Sequence, residues 1–142
     1  MAIVASVDGD DGSKAVVNEA ATLADRFDEP LHVISVYERS EHEHLINEKI
    51  DVDREASQEE RGEIARTVAE RASEGLSREH EAIGKAGNPA EEILDYASET
   101  DARYLVIGGR KRSPIGKALF GSVTQSVLLE ADQPVVAVMT GD

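Results

Sequence analysis

Segments typical of β-strands alternate with segments typical of α-helices along this chain, and that alternation limits its fold more than any other feature. Short, mainly aliphatic runs predict strands at residues 2–7, 31–37, 78–84, 104–107 and 134–140, the third of them weak and near a sheet edge. Between most of them, apolar residues recur every three or four positions, which predicts helices. Such an order calls for a mostly parallel sheet with right-handed crossovers and helices on both faces. We therefore predict one α/β domain over residues 1–142, with a five-stranded, mostly parallel open sheet.

Residues suited to capping helices indicate where the predicted helices begin. Asp11 or Ser13 is expected to cap the first helix, and Asn88, which is followed by proline, a later one. Ser122 and the glutamine three residues after it have the spacing of a capping box. A charged helix is predicted from about residue 53 or 57 to residue 76.

The composition excludes several classes of protein. Twenty-nine acidic residues against fifteen basic ones give a net charge of −14, which argues against nucleic acid and anionic membranes as general partners. No apolar run approaches the roughly 20 residues of a membrane span, and the N-terminus does not resemble a signal peptide. We therefore expect a cytoplasmic protein. Its acidity is typical of a salt-loving organism, and an ordinary acidic cytosolic protein is the alternative.

The segment from residue 102 to 129 has the pattern strand, glycine-containing loop, helix. Gly108 and Gly109 are expected to end the strand, and a helix is expected to begin at Gly121 and Ser122, with Val123 on its apolar stripe. The segment contains five basic residues and no acidic one. Because the first turn of a helix has free amides and a positive dipole end, this pattern favours an anion site. The alternative is that the glycines only turn the chain and Ser122 only caps its helix.

Acidic residues follow the first strand. Asp8 is either a ligand for a base, a ribose or a hydrated Mg²⁺, or part of a turn, and the turn is favoured for Asp10 and Asp11. Residues 41–44, Glu-His-Glu-His, are expected to be a solvated loop rather than a metal site. No serine or carboxylate has a histidine placed to form a catalytic set with it.

Several of these segments together resemble one known family. The sequences VDGDDGS, LHVISVY, GNPAEEIL and above all VIGGRKRSPIGKALFGSVTQSVL followed by QPVVAV resemble the universal stress protein family across nearly the whole chain. The resemblance implies a Rossmann-like fold of the adenine nucleotide alpha hydrolase type. It also implies a homodimer formed through the last strand, that is, through Val135, Val136, Ala137, Val138 and Met139.

One branch of that family binds ATP through a loop with the pattern G-x2-G-x9-G-Ser/Thr. Carried over, Gly108 is the first glycine and Gly121 with Ser122 the closing pair, while Lys111 replaces the second glycine. The side chain of Lys111 would either obstruct the phosphates or add a positive charge to them. Two further residues, Asp8 and Val36, match positions that meet the adenosine in the family.

The sequence as a whole predicts a small cytoplasmic stress-response protein that binds ATP or another adenine nucleotide, with Mg²⁺ assisting and without strong turnover. The phosphates are expected on Gly108, Gly109, Gly121 and Ser122, with Arg110 or Lys111 neutralising their charge. The alternative is a family member that does not bind ATP and acts through dimerisation and protein partners. An ATPase or phosphotransferase lacks a candidate base.

Overall fold

A computed structural model describes residues 1–38, 57–110 and 120–141, which form five strands and four helices. Strands and helices alternate as the sequence predicts, and the predicted α/β class is confirmed. The elements are β1 (Ala2–Ser6), α1 (Ser13–Phe27), β2 (Leu31–Glu38), α2 (Ser57–Ala72), β3 (Glu81–Gly87), α3 (Pro89–Glu99), β4 (Ala102–Arg110), α4 (Ser122–Glu130) and β5 (Val135–Thr140).

The five strands form one sheet in the order β3-β2-β1-β4-β5, and all four neighbouring pairs are parallel. In the central strand, Ile3 is paired with Leu31 on one side and with Tyr104 on the other. The chain moves from β1 through β2 to β3 on one side and then crosses to β4 on the other. The strand order therefore reverses between β1 and β4, the position where open sheets of this kind bind ligands.

Apolar side chains cover both faces of the sheet. On one face, α1 and α2 pack on the strands through small residues such as Ala20 and Ala69, both fully buried. On the other face, α3 and α4 contribute Ile93, Ala97 and Val127. Strand β1 supplies both faces alternately, with Ile3 on one and Val4 on the other. The prediction of helices on both faces is therefore confirmed.

The third strand lies at an edge as predicted, but its predicted limits were wrong. It begins at Glu81, three residues later than expected, and continues to Gly87, which is paired with Glu38. Residue Arg78, expected in the strand, instead donates hydrogen bonds to the Asp25 carboxylate at 2.5 Å and to the Glu29 carbonyl at 3.2 Å. The strand is displaced because it follows the register of β2.

Two helix boundaries also differ from the prediction. Helix α2 ends at Ala72 rather than at residue 76, because the chain turns through Gly75, whose φ is +90°. Helix α1 is capped by Gly12, without a side-chain hydrogen bond, rather than by Asp11 or Ser13. By contrast, the predicted cap at Asn88 is confirmed, since its side chain accepts a hydrogen bond from the Glu91 amide at 3.1 Å.

Candidate functional site

A cavity of about 530 Å³ lies where the strand order reverses, at the carboxyl ends of β1 and β4. Its volume is within the range of roughly 300–1,000 Å³ that small-molecule sites occupy. The loop between β1 and α1, the end of β4 and the start of α4 form most of its wall. Eight of the predicted site residues line it together: Asp8, Val36, Gly108, Gly109, Arg110, Gly121, Ser122 and Val123. The ninth, Lys111, lies outside the described residues.

The first turn of α4 forms part of the cavity wall. The first hydrogen bond inside the helix runs from the Gln125 amide to the Gly121 carbonyl, at 3.0 Å. The amides of Ser122, Val123 and Thr124 therefore come before the helical ladder, at the positive end of the helix dipole. A Cβ atom on Gly121 would have no atom of the described structure within 4 Å. This backbone is open to a ligand.

The predicted capping box at this helix does not form. The N-cap is Gly121, whose extended φ of −65° and ψ of 167° place Ser122 inside the helix as its first residue. The amide nitrogen of the Gln125 side chain donates instead to the Phe120 carbonyl at 2.8 Å. Since no side chain caps the helix start, the Ser122 hydroxyl is not committed to the cap.

The glycine pair lies within β4, and the prediction that it ends the strand was wrong. Gly108 and Gly109 do not end the strand, because both remain in it and are paired with Val138 and Met139 of β5. A Cβ atom on Gly109 would lie 2.7 Å from the Met139 sulfur and 2.9 Å from a ring carbon of Phe120. Close packing at the end of the sheet thus explains this glycine without reference to a ligand.

The loop after β1 is held by hydrogen bonds within itself. The Asp8 carboxylate accepts from the Asp10 amide at 3.0 Å, and the Ser13 hydroxyl accepts from the Gly9 amide at 3.1 Å. The Asp10 carboxylate accepts from the Gly12 amide at 2.9 Å. These bonds fit the turn expected for Asp10, and they place the carboxylates of Asp8 and Asp10 on the cavity wall.

An ion pair that the sequence analysis did not identify joins two residues of the cavity wall. Arg110 Nη2 donates to Asp10 Oδ2 at 3.1 Å, although the two residues are 100 positions apart in the chain. Both side chains are partly exposed, by 53% and 35%, so the pair adds little to folding stability. Burial raises the pKa of Asp10, but the hydrogen bonds from Arg110 and the Gly12 amide outweigh it and hold the pKa below the usual value.

Apolar side chains form the part of the wall that could hold a flat ring. Val36 at the end of β2 lies there with Pro89 and Ile93 of α3 and with Ile107 of β4. The sequence analysis identified only Val36 among these residues. The proline was noted only as the residue after a helix cap, and no sequence signal shows that the same helix also borders the cavity.

Among the described residues, no group of three or more histidine, aspartate or glutamate side chains is arranged to hold a metal ion. The histidines and glutamates at residues 41–44 lie outside the described part of the chain. None of the described helices is both long enough and apolar enough to cross a membrane.

A family model and individual relatives identify the same protein family. Residues 1–139 match the family model described as "Universal stress protein family". A universal stress protein of Methanocaldococcus jannaschii is 30% identical over 137 residues, which cover 96% of this chain and 80% of that protein. Another, from Mycolicibacterium smegmatis, is 54% identical over 48 residues, which span only 34% of this chain and 37% of that protein.

A solved structure shares both the fold and part of the sequence. It is described as the universal stress protein from Archaeoglobus fulgidus in complex with dAMP. The two chains superpose with a TM-score of 0.55 and 26% sequence identity, over 96% of each chain.

Proposed function

This chain belongs to the universal stress protein family, and on that premise we propose that it binds an adenine nucleotide in the cavity between β1, β4 and α4. The observation that carries the proposal is the start of α4, where residues whose amides precede the helical hydrogen bonds, at the positive end of the helix dipole, line a cavity of nucleotide size. The dAMP complex of the relative from Archaeoglobus fulgidus supports the same ligand class. We also propose that the ligand can be ATP with Mg²⁺ and that the protein forms a homodimer.

The two ends of the cavity suit the two ends of a nucleotide. Val36, Pro89 and Ile93 provide an apolar surface on which adenine packs, with the Asp8 carboxylate nearby for a base or ribose donor. The amides of Ser122 and Val123 and the guanidinium of Arg110 provide donors for the phosphate. Mg²⁺ would accompany ATP through the phosphates and the carboxylate of Asp8.

We further propose that the protein acts as a cytoplasmic regulatory or protective binding module without strong turnover. Among the described residues, the cavity wall contains no histidine, the side chain that most often serves as a general base. The nucleotide-bound and nucleotide-free forms of the protein, rather than a reaction product, would carry the regulatory or protective effect.

The second candidate function is that of an interaction protein acting through a homodimer. Strand β5 forms an edge of the sheet, and all six of its residues are half-buried. At the end of the preceding helix, Leu128 and Leu129 are exposed by 41% and 85%. An edge strand with apolar side chains beside it is suited to pairing with a second copy of itself.

Titration calorimetry on four proteins tests the nucleotide proposal. We expect ATP and AMP to bind the wild-type protein. In Gly121→Val a side chain would enter the space that the phosphate needs, and loss of one or two charge-assisted hydrogen bonds of ~1.5–3 kcal/mol each would weaken binding at least tenfold. Ser122→Ala should weaken binding less, by about one neutral hydrogen bond of ~0.5–1.5 kcal/mol.

Lys111 separates the two candidate functions. If Lys111→Gly weakens nucleotide binding, the lysine is a phosphate ligand. If it tightens binding, the lysine obstructs the phosphates and the interaction module is favoured. Absence of heat and of any thermal shift with every adenine nucleotide at millimolar concentration would refute nucleotide binding. Equal affinity of Gly121→Val and wild type would place the ligand elsewhere.

A further inference from the structure

The ion pair between Asp10 and Arg110 lies at the phosphate end of the proposed site. Both residues line the cavity, and Arg110 directly follows the glycine pair of β4. Arg110 Nη2 donates to Asp10 Oδ2 at 3.1 Å. The guanidinium that would meet a phosphate is therefore already paired with a carboxylate of the protein.

The position of the Asp10 carboxylate is fixed from the opposite side. Its Oδ1 accepts hydrogen bonds from the Gly12 amide at 2.9 Å and from the Ser13 hydroxyl at 3.4 Å, while Oδ2 faces Arg110. Its backbone carbonyl also accepts from the Ser13 amide at 3.1 Å. These hydrogen bonds favour the position of the carboxylate beside Arg110 and oppose its movement away when an anion enters the cavity.

A bound phosphate and Asp10 would carry the same sign of charge and would share one guanidinium. A phosphate group that reaches Arg110 has to share the positive charge of its guanidinium with Asp10, whichever N–H groups it binds. It also meets the repulsion of a carboxylate in the same partly solvated cavity, and that repulsion grows with the charge of the phosphate chain. The adenosine part of a ligand, which is uncharged, is not subject to this penalty.

We propose that Asp10 is a specificity-determining residue that selects nucleotides by their phosphate charge, through its ion pair with Arg110. The proposal rests on nucleotide binding at this cavity. It predicts that nucleotides with fewer phosphate groups bind more favourably relative to ATP than they would without Asp10. Asp10, in the loop between β1 and α1, thus lowers the affinity for ligands that carry several phosphate groups.

The test compares adenosine, AMP, ADP and ATP, which add one phosphate group at a time, in calorimetric titrations with EDTA present. Asp10→Asn keeps an oxygen for the Gly12 amide and puts an NH₂ group where Oδ2 accepts from Arg110, so it removes the charge and the pairing with Arg110 together. We expect its affinity to be unchanged for adenosine and to rise relative to wild type by roughly threefold for each phosphate group, as Coulomb energies over several ångströms in a mostly aqueous cavity imply. In 1 M salt, where the screening length is ~3 Å, most of the gain should disappear.

Two variants serve as controls. Asp11→Asn removes the same charge from an exposed neighbour that does not line the cavity, and it should leave the dependence on phosphate number unchanged. Arg110→Gln should have the opposite effect: relative to wild type, its affinity should fall further with each phosphate group that the ligand carries. Thermal unfolding without ligand verifies that each variant is folded.

The outcomes separate this proposal from the one on which it depends. If wild type binds nucleotides but Asp10→Asn gives the same affinities, or the same change as Asp11→Asn, Asp10 is not a selectivity residue and nucleotide binding stands. If Asp10→Asn weakens ATP binding, Asp10 positions Arg110 for the phosphate, and the proposal is wrong. If neither protein binds any of the four ligands, both proposals fail.

Discussion

The contact between α2 and β3 leads to opposite predictions for the two glycines that form it. A Cβ atom on Gly84 of β3 would lie 1.9 Å from the Gly62 carbonyl oxygen and 2.3 Å from the Arg66 nitrogen, both of them backbone atoms of α2. A Cβ atom on Gly62, by contrast, would lie 3.6 Å from the Gly84 carbonyl oxygen, which is an ordinary contact. The helix therefore approaches the strand so closely that only the strand position requires glycine.

The expected magnitudes follow from these distances. In Gly84→Ala, ordinary contact begins at 3.4 Å, so α2 has to move outward by about 1.5 Å. Ala65 and Ala69, which are buried on the same helix, would then lose part of their packing. Overpacking typically costs ~1–3 kcal/mol, and we expect the upper end, about 3 kcal/mol, because the obstacle is backbone. Gly62→Ala should instead stabilise by up to about 1 kcal/mol, the difference in helix propensity.

Urea unfolding, monitored by far-ultraviolet circular dichroism, gives the free energy of unfolding of both variants and of wild type. A Gly84→Ala variant as stable as wild type would refute the close approach of α2 to β3. A loss of stability in Gly62→Ala equal to that in Gly84→Ala would refute the asymmetry between the two glycines.

Three further predictions concern assembly, salt and pH. Light scattering should give the mass of a dimer for wild type and of a monomer for Val136→Lys, and equal masses would exclude β5 as the interface. The net charge of −14 makes the folded protein repel itself, and salt reduces this repulsion because the screening length falls from ~30 Å at 0.01 M to ~3 Å at 1 M. The melting temperature should therefore be higher in 1 M than in 0.01 M potassium chloride. An unchanged melting temperature would count against adaptation to salt. Burial, together with the carboxylates of Glu81 and Glu99, raises the pKa of Tyr96 from 10.0 to about 12. Because the folded state then holds the proton more tightly, stability should fall as pH rises from about 10 to 12, and Tyr96→Phe should reduce that fall.

The architecture followed from the sequence because its signals are local. The alternation of strands and helices predicted the sheet and its two covered faces, and Asn88 with the proline after it marked the start of a helix. The boundaries of β3 and β4 were less accurate, because they depend on the register of a neighbouring strand. Gly108 and Gly109 illustrate this point, since their pairing with β5 keeps them in the strand despite their low strand propensity.

Part of the candidate site could be predicted, because some of its residues are marked by local sequence signals. Asp8 and Gly121 lie beside elements whose ends could be identified locally, so their convergence on the cavity followed from the parallel topology. The pairing of Asp10 with Arg110 depends on loop conformations at the ends of two adjacent strands, which no local pattern specifies. The close contact between Gly62 and Gly84 depends on the distance between a helix and a strand, and the sequence contains no signal for it.

The central claim is that an adenine nucleotide binds at the start of α4, and a titration followed by amide nuclear magnetic resonance tests it most directly. In ¹⁵N-labelled protein, AMP should shift the amides of Gly121, Ser122, Val123 and Thr124 strongly and saturably, because these residues line the cavity. Adenosine should shift the amide of Val36, at the apolar end, more than those at the start of α4. An absence of saturable shifts at millimolar AMP, or shifts that leave the first turn of α4 unchanged, would contradict the claim.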